Sequence, residues 1–288
     1  MMAGYRSKTN SPLEASPNKY RSGDLSVLEA NPTKYRSQAV SPLDFPLPYL
    51  GDLVGWYKFI EGEGDTVYNY ASPTLTSQKL PDLTVYVNTT TFWSIKAGFG
   101  SANSGSKNYC RWTDAASILT TTTLGCRGSF IWIVGADYAY PHPFDHNEVV
   151  TEASDASMMI AYQVGGNYPI AIGWGTGGTI VNLTSSYINR WLFVFNAKET
   201  ATTYKVYAVL DDGTLLTSSL AGGFGASQSI KQVRFFRYYD SSNARYNHFY
   251  GSIGDTIQYR AKLLTLSEWG SWYDSLRSRY DMSARSGW

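Results

Sequence analysis

Apolar residues beyond residue 48 come in short runs or alternate with polar residues, and both patterns predict β-strands. The run SFIWIV at residues 129–134 is typical of a buried strand, whereas residues 231–238 alternate as a half-buried strand should. The sequence GGN at residues 165–167 separates two further runs, and DDG at residues 211–213 follows another. Both sequences favour tight turns, so each predicts the tip of a hairpin.

Helical spacing is clear only near the C-terminus. Trp269, Trp272 and Leu276 lie three and four residues apart, which places them on one face of a helix. Ser267 precedes them and has the hydroxyl that a helix cap needs. The pattern as a whole therefore predicts an all-β domain with a short C-terminal helix.

Residues 1–48 have a different organisation, a repeat with a period of fifteen residues. Tyr-Arg-Ser recurs at residues 5, 20 and 35, and each copy continues into Ser-x-Leu followed by an acidic residue. Six of the eleven prolines lie in this segment and none of the nine tryptophans does. Each copy offers about one Tyr and one Leu for burial, too little to offset the ordering entropy of its backbone. The sequence therefore predicts an extended arm at residues 1–48 and one folded domain at residues 49–288.

Two interpretations of this arm stay open. It is a flexible linker, or it is a docking arm whose repeated units bind equivalent sites on a partner. In the docking interpretation, the link between three weak contacts raises the overall avidity. The residues that make those contacts are Tyr5, Arg6, Leu13, Tyr20, Arg21, Leu28, Tyr35, Arg36 and Leu43.

The charge balance limits the classes of partner. A net charge of +1 with 16% charged residues gives no electrostatic reason to expect nucleic acid or a membrane surface. Residues 1–6 lack the pattern of a secretory signal, and the longest apolar runs are too short to span a membrane. We therefore expect a protein made in a cytoplasm. Cys110 and Cys126 are the two cysteines, and we expect free thiols.

Two of the three histidines lie in an aromatic segment. His142 and His146 have the spacing of a metal-binding pair on a helix, but Pro143 between them argues against a helix. No metal site is predicted, and a contact loop is the favoured interpretation. Its candidate ligand residues are Tyr138, Tyr140, His142, His146 and Trp174. For Tyr140 and Trp174, a place in the core or in an interface is an equally good interpretation.

Four blocks of the sequence, in order, resemble the laminin-G-like, or concanavalin A-like, jelly-roll domain. They are VGWYKF with EGEGD at residues 54–65, GSFIWI at 128–133, RWLFVF with the DG turn at 190–213, and FYGSIGD with LTLSEW at 249–269. The resemblance covers about residues 50–280 and implies a two-sheet jelly-roll sandwich. Residues 66–127 contain no such block, and we expect variable loops there.

Some relatives of this fold are glucanases, which resemble one another in a Glu-x-Asp-x-x-Glu strand that supplies the nucleophile and the general acid. The chain lacks this motif: Glu148, Glu152 and Asp155 come nearest, but their spacing differs. The sequence also lacks a glycine-rich phosphate loop followed by Lys. We therefore expect neither enzymatic activity nor a cofactor.

Three functions are weighed on this basis. The first is a bacteriophage virion component (a capsid decoration, head-fibre or tail-associated protein) that docks on other virion proteins through residues 1–48. Such a protein displays its jelly roll on the particle surface and forms a closed homo-oligomer, with a trimer preferred. The second is a carbohydrate-binding adhesin or receptor-binding module, with a cell-surface glycan as its partner. The third, a glycoside hydrolase, has the least support.

Overall fold

The computed structural model describes parts of the chain between residues 47 and 288. The described residues are 47–62, 64–74, 79–86, 98–101, 109–113, 119–120, 124–136, 144–147, 156–162, 168–174, 177–183, 189–198, 203–221, 229–230, 232–235, 237–240, 245–260, 262, 264–286 and 288. The nine predicted arm residues lie outside them, so the docking arm stays a prediction.

Strands make up most of the regular structure in this part of the chain. They are β1 Leu53–Tyr57, β2 Thr66–Val67, β3 Leu83–Tyr86, β4 Phe99–Ser101, β5 Tyr109–Thr113, β6 Leu119–Thr120, β7 Leu124–Ala136, β8 Phe144–Asn147, β9 Ala156–Tyr162, β10 Tyr168–Trp174, β11 Gly177–Leu183, β12 Trp191–Lys198, β13 Thr203–Val209, β14 Leu215–Ala221, β15 Ser229–Ile230, β16 Gln232–Phe235, β17 Arg237–Asp240 and β18 Arg245–Arg260. The α-helix, α1, spans Leu266–Leu276, and 3-10 helices span Leu50–Asp52 and Arg277–Tyr280.

The first sheet follows the order β1-β18-β7-β12-β13-β14, with β4 and β17 also paired to β18. Its neighbouring strands are antiparallel. The predicted DDG turn joins β13 to β14. Gly213 has a φ of 87°, which favours glycine, and its N–H donates to the carbonyl of Leu210 at 2.9 Å. The predicted hairpin at this position is confirmed.

The second sheet follows the order β11-β10-β9-β8-β16-β5-β3-β2, and β15 pairs separately with β6. Residues 66–127, where we expected variable loops, also contribute β2 to β6 and the start of β7, so part of this segment belongs to the sheets. Residues 231–238 do not form one strand. β16 lies in the second sheet, whereas β17 pairs with β18. Two consecutive apolar residues, Phe235 and Phe236, interrupt the alternation between these two strands, so the pattern of one half-buried strand does not extend over residues 231–238.

Aromatic side chains fill the space between the two sheets. The ring of Tyr57 on β1 meets the ring of Phe235 on β16 edge to face, with centroids 5.5 Å apart. Phe59 meets the same ring at 5.1 Å. Ser129 and Thr256, directly opposed on β7 and β18, share a buried hydrogen bond of 2.6 Å. The ring contacts of Tyr57 and Phe59 with Phe235 join the two sheets into a sandwich, whereas the Ser129–Thr256 hydrogen bond lies within the first sheet.

Helix α1 covers the other face of the first sheet. Phe130 on β7 and Phe193 on β12 are directly opposed, and their rings stack with centroids 4.8 Å apart. The Trp272 ring lies 5.5 Å from the first and 5.3 Å from the second. Trp269, Trp272 and Leu276 are buried, which confirms the predicted buried face of the helix. The predicted all-β fold with a short C-terminal helix is also confirmed.

The helix cap is Thr265, not the predicted Ser267. The Thr265 hydroxyl accepts the N–H of Glu268 at 3.2 Å, and the Glu268 carboxylate accepts the N–H of Thr265 at 2.8 Å. This reciprocal arrangement needs an acidic residue three positions after the cap, which only Thr265 has. Desolvation acts to raise the pKa of Glu268, but the hydrogen bonds from Thr265 outweigh it and hold that pKa below its usual value.

The two cysteines lie in different sheets. Cys110 is on β5 and Cys126 is on β7, and both are free thiols buried in the domain. Burial raises the pKa of Cys126 to about 12 and raises the pKa of Cys110 as well. Both side chains are therefore neutral, poorly reactive members of the core at physiological pH.

Candidate functional site

Strand β3 shows which face of the second sheet meets solvent. Leu83 and Val85 are buried, whereas Thr84 and Tyr86, which alternate with them, are exposed. Successive residues of a strand point to opposite faces, so Thr84 and Tyr86 lie on the outer face. The same alternation holds on β5, where Cys110 is fully buried between the partly exposed Tyr109 and Arg111.

Three side chains gather on this outer face. Tyr86 and Tyr109 are directly opposed on β3 and β5. Their rings stack nearly parallel, with centroids 4.9 Å apart and planes 8° from each other. The guanidinium carbon of Arg111 lies 5.0 Å from the centroid of the Tyr86 ring. We call Tyr86, Tyr109 and Arg111 the tyrosine–arginine cluster.

The cluster combines two kinds of recognition surface. Tyrosine offers a large, rigid apolar ring that ends in a hydroxyl, and it loses little entropy when a ligand covers it. The guanidinium of Arg111 is a planar donor group, and its contact with the Tyr86 ring restricts its orientation. Tyr86 is 37% exposed, so part of this surface is open to a ligand.

The row of residues beside the cluster continues across the sheet. Arg111 on β5 is directly opposed to Thr84 on β3 and to Arg234 on β16. Arg234 is in turn opposed to Asp145 on β8. Two arginine positions therefore lie side by side on neighbouring strands, next to the stacked tyrosines.

A second group of charged side chains is buried behind the first sheet. Asp255 on β18 is fully buried, and its Oδ2 accepts hydrogen bonds from Arg279 at 2.6 Å and from the hydroxyl of Tyr280 at 2.7 Å. Desolvation raises the pKa of Asp255, although Arg279 and Tyr280 act to lower it. We call these three residues the Asp255 clamp. Because they tie the 3-10 helix after α1 to β18, we interpret them as structural.

Buried charges continue from the clamp to the start of the domain. Nη2 of Arg279 donates to the carbonyl of Lys58 at 3.4 Å. The Lys58 ammonium is buried 4.8 Å from the centroid of the Tyr70 ring. Glu61 accepts the N–H of Tyr68 at 3.1 Å and the hydroxyl of Tyr70 at 3.4 Å. Desolvation raises the pKa of Glu61. We interpret these contacts as structural too, because their partners are other residues of the domain.

The predicted contact loop is described only in part. Tyr138, Tyr140 and His142 lie outside the described residues. His146 is on β8, opposed to Met158 on β9, and Trp174 ends β10 opposite Gly177. Strand β9 therefore lies between His146 and Trp174, and their role in a ligand site stays a prediction. Glu148, Glu152 and Asp155 also lie outside the described residues.

The tyrosine–arginine cluster is absent from the sequence-based candidates. The alternation in Leu83–Tyr86 is a usable signal for a half-exposed strand with an outward tyrosine. The pairing of Tyr86 with Tyr109 has no such signal, because the register between strands more than twenty residues apart cannot be obtained from local pattern.

Solved structures support the fold of this chain. It is similar to the Trypanosoma rangeli sialidase, with 12% identity, a TM-score of 0.52, and coverage of 88% of this chain and 40% of that one. It is also similar to a mutant GH54 α-L-arabinofuranosidase soaked with 4-nitrophenyl α-L-arabinofuranoside. In that comparison the identity is 10% and the TM-score is 0.52, with coverage of 75% of this chain and 51% of that one. A third similar structure is the botulinum neurotoxin serotype C1 binding domain, with 12% identity, a TM-score of 0.50, and coverage of 79% of this chain and 53% of that one.

These similarities establish a jelly-roll-like β-sandwich, as the sequence resemblance implied. At such low identity they extend to the fold alone, and the chain spans between 40% and 53% of the lengths of the three proteins. No protein-family model and no curated protein sequence matches the chain.

The described residues add two observations on other classes of site. They contain no helix that is both long and apolar enough to cross a membrane. They also contain no group of three or more His, Cys, Asp or Glu side chains that could hold a metal ion.

Proposed function

We propose that this chain is a non-enzymatic carbohydrate-binding module whose ligand contacts the tyrosine–arginine cluster. The observation that carries the proposal is the stacked pair of the exposed Tyr86 and the partly exposed Tyr109, with a guanidinium beside it, on the outer face of a jelly-roll sheet. A sugar ring has an apolar face and a polar rim, which match the tyrosine rings and the guanidinium donors.

The comparisons support this proposal at the level of the fold. One similar structure is a sialidase, and another is an arabinofuranosidase soaked with an arabinofuranoside. Unrelated functions share the same folds, so the argument rests on the cluster itself.

The residues of the cluster favour binding without catalysis. Glycoside hydrolysis generally needs two carboxyl groups about 5–10 Å apart at the scissile bond. Tyr86, Tyr109 and Arg111 supply none. The buried carboxylates of Glu61 and Asp255 accept hydrogen bonds within the fold. These observations support a binding role for the cluster, and the absence of catalysis is part of the proposal.

Replacing Tyr86 with alanine is expected to weaken glycan binding about fivefold to tenfold. Covering a fully exposed aromatic ring contributes about 1.5–3 kcal/mol, and because Tyr86 is 37% exposed, a ligand that covers it gains about 1 kcal/mol. A glycan array with the full chain identifies ligands, and isothermal titration calorimetry then compares the variants.

Tyr68→Ala is the matched control, because Tyr68 is 50% exposed and follows β2, which pairs with β3 at Thr84 and Leu83 rather than at Tyr86. This control should bind as the unchanged chain does. The proposal fails if the unchanged chain binds no glycan, or if Tyr86→Ala binds as well as Tyr68→Ala.

The repeat in residues 1–48 favours a second function, attachment to a virion. In this proposal the arm docks on other proteins of a bacteriophage particle, and a homo-oligomer, preferably a trimer, displays the carbohydrate-binding domain on the particle surface. Its support is the threefold recurrence of Tyr-Arg-Ser at equal spacing, which suits equivalent sites in a symmetric assembly.

Changing Tyr5, Tyr20 and Tyr35 together to alanine is expected to lower particle binding far more than any single change. Each ring contributes about 1.5–3 kcal/mol when buried, and linked contacts multiply their effects on avidity. Co-sedimentation with phage particles stripped of the protein measures the loss. Binding that survives deletion of residues 1–48 would show that the arm is not the anchor.

A further inference from the structure

The outer face of the second sheet has an unusual charge arrangement beside the stacked tyrosines. Arg111 and Arg234 occupy directly opposed positions on β5 and β16. Like charges at such positions destabilise a sheet, and an anion bound over them relieves that repulsion. Across the same row, Asp145 on β8 is opposed to Arg234, and Thr84 on β3 is opposed to Arg111.

Arg111 has the geometry of a prepared anion-binding group. Its guanidinium carbon lies 5.0 Å from the Tyr86 ring centroid, and the side chain is partly exposed. A guanidinium held against a ring loses less conformational freedom when it binds, and its fork of donors matches a carboxylate in two parallel hydrogen bonds.

The neighbours of Arg111 complete a surface for a sugar that carries such a carboxylate. Tyr86 and Tyr109 provide apolar ring surface with hydroxyl ends, and the exposed Thr84 adds a further hydroxyl. Phenol and threonine hydroxyls can each donate to and accept from sugar hydroxyls. The arrangement therefore places hydroxyl-binding groups on one side of a carboxylate-binding group.

We propose that the tyrosine–arginine cluster selects acidic sugars, such as uronic or sialic acids, over neutral sugars of the same shape. This inference rests on the proposed carbohydrate-binding function. In it, Arg111 binds the carboxylate, the stacked tyrosines carry the sugar ring, and Arg234 increases the positive potential at the carboxylate.

The test compares ligands that differ only in charge. The full chain is titrated with an oligogalacturonide and with the methyl ester of the same oligosaccharide, and with sialyllactose and the carboxyl methyl ester of sialyllactose. The acidic member of the preferred pair is expected to bind at least tenfold more tightly. Its affinity should fall severalfold between 0.05 and 0.5 M salt (about one order of magnitude in ionic strength), because exposed charges are screened.

Three variants assign the selectivity to residues. Arg111→Gln is expected to remove the preference for the acidic ligand while it retains binding to the neutral one, and Arg111→Lys to retain part of the preference. Arg190→Gln is the matched control, since Arg190 is exposed and pairs with Asp211 in the turn between β13 and β14 of the first sheet. It should leave both affinities unchanged.

The outcomes separate this inference from the function on which it rests. Equal binding of acidic and neutral ligands, with loss of both in Tyr86→Ala, overturns the selectivity and leaves the carbohydrate-binding function intact. An acidic preference that persists in Arg111→Gln also overturns the assignment to this cluster. Failure of every glycan to bind overturns both proposals.

Discussion

Replacing Asp255 with alanine is expected to lower the free energy of unfolding by about 3 kcal/mol. The carboxylate is fully buried and accepts hydrogen bonds from Arg279 and Tyr280. Its removal leaves the Arg279 guanidinium without this charge partner and the Tyr280 hydroxyl without this acceptor, and both effects disfavour the folded state. Urea unfolding of the full chain, followed by tryptophan fluorescence, measures the change.

Asp274→Ala is the matched control for this prediction. Asp274 forms an ion pair with Arg285 at 2.8 Å, but both side chains are substantially exposed. Exposed ion pairs contribute little, so the control should lose less than about 1 kcal/mol. Equal losses in Asp255→Ala and Asp274→Ala would contradict the structural role of the clamp.

The pH dependence of the free energy of unfolding in the acidic range gives an independent check on the burial of Asp255. Burial raises its pKa in the folded protein above the value in the unfolded chain. A carboxyl with a raised pKa contributes most to stability below its unfolded pKa, and loses that contribution as the pH rises through the folded value. Asp255→Asn should lack this decline above about pH 4, while its amide oxygen still accepts from Tyr280.

Local pattern predicts the parts of this fold that depend on neighbouring residues. The spacing of Trp269, Trp272 and Leu276 alone places them on the buried helix face. The Asp-Gly pair before β14 gives the hairpin because Gly213 supplies the positive φ that the turn requires. Each of these features is decided within a few residues.

The candidate site could not be predicted in the same way. Tyr86 and Tyr109 meet through the register of β3 and β5, and Asp255 meets Arg279 through the packing of the C-terminal segment. In the sequence, each of these residues looks like an ordinary exposed or buried residue. Its chemical role becomes visible only when the tertiary structure shows which residue it contacts. The jelly-roll resemblance identifies the sheets but supplies no register between these strands.

The stacked tyrosines also have a purely structural interpretation. An aromatic pair at opposed positions stabilises a sheet by about 0.2–1 kcal/mol whether or not a ligand binds. The two roles differ in their consequences, because a structural pair affects unfolding and leaves glycan affinity unchanged. Calorimetry on Tyr86→Ala therefore tests the role of the pair, whereas a stability measurement alone does not.

Replacing Trp272 with alanine is expected to lower the free energy of unfolding by about 4 kcal/mol. Trp272 is fully buried and packs against Phe130 and Phe193, the opposed pair at the centre of the first sheet. The lost ring leaves a cavity between α1 and the sheet that neighbouring aromatic rings cannot fill without moving. Denaturant unfolding of the full chain measures the loss, with the slope of the transition checked for a change in cooperativity.

Two comparisons show whether this loss comes from packing. The indole N–H of Trp272 is buried without a hydrogen-bond partner in the described structure, so Trp272→Phe gives up no hydrogen bond and should lose much less. Trp288→Ala removes the same residue type where it is half-buried, 5.6 Å from Tyr273, and should cost about 1–2 kcal/mol. If Trp272→Ala lost no more stability than Trp288→Ala, full burial of the Trp272 ring against the sheet would not account for its effect.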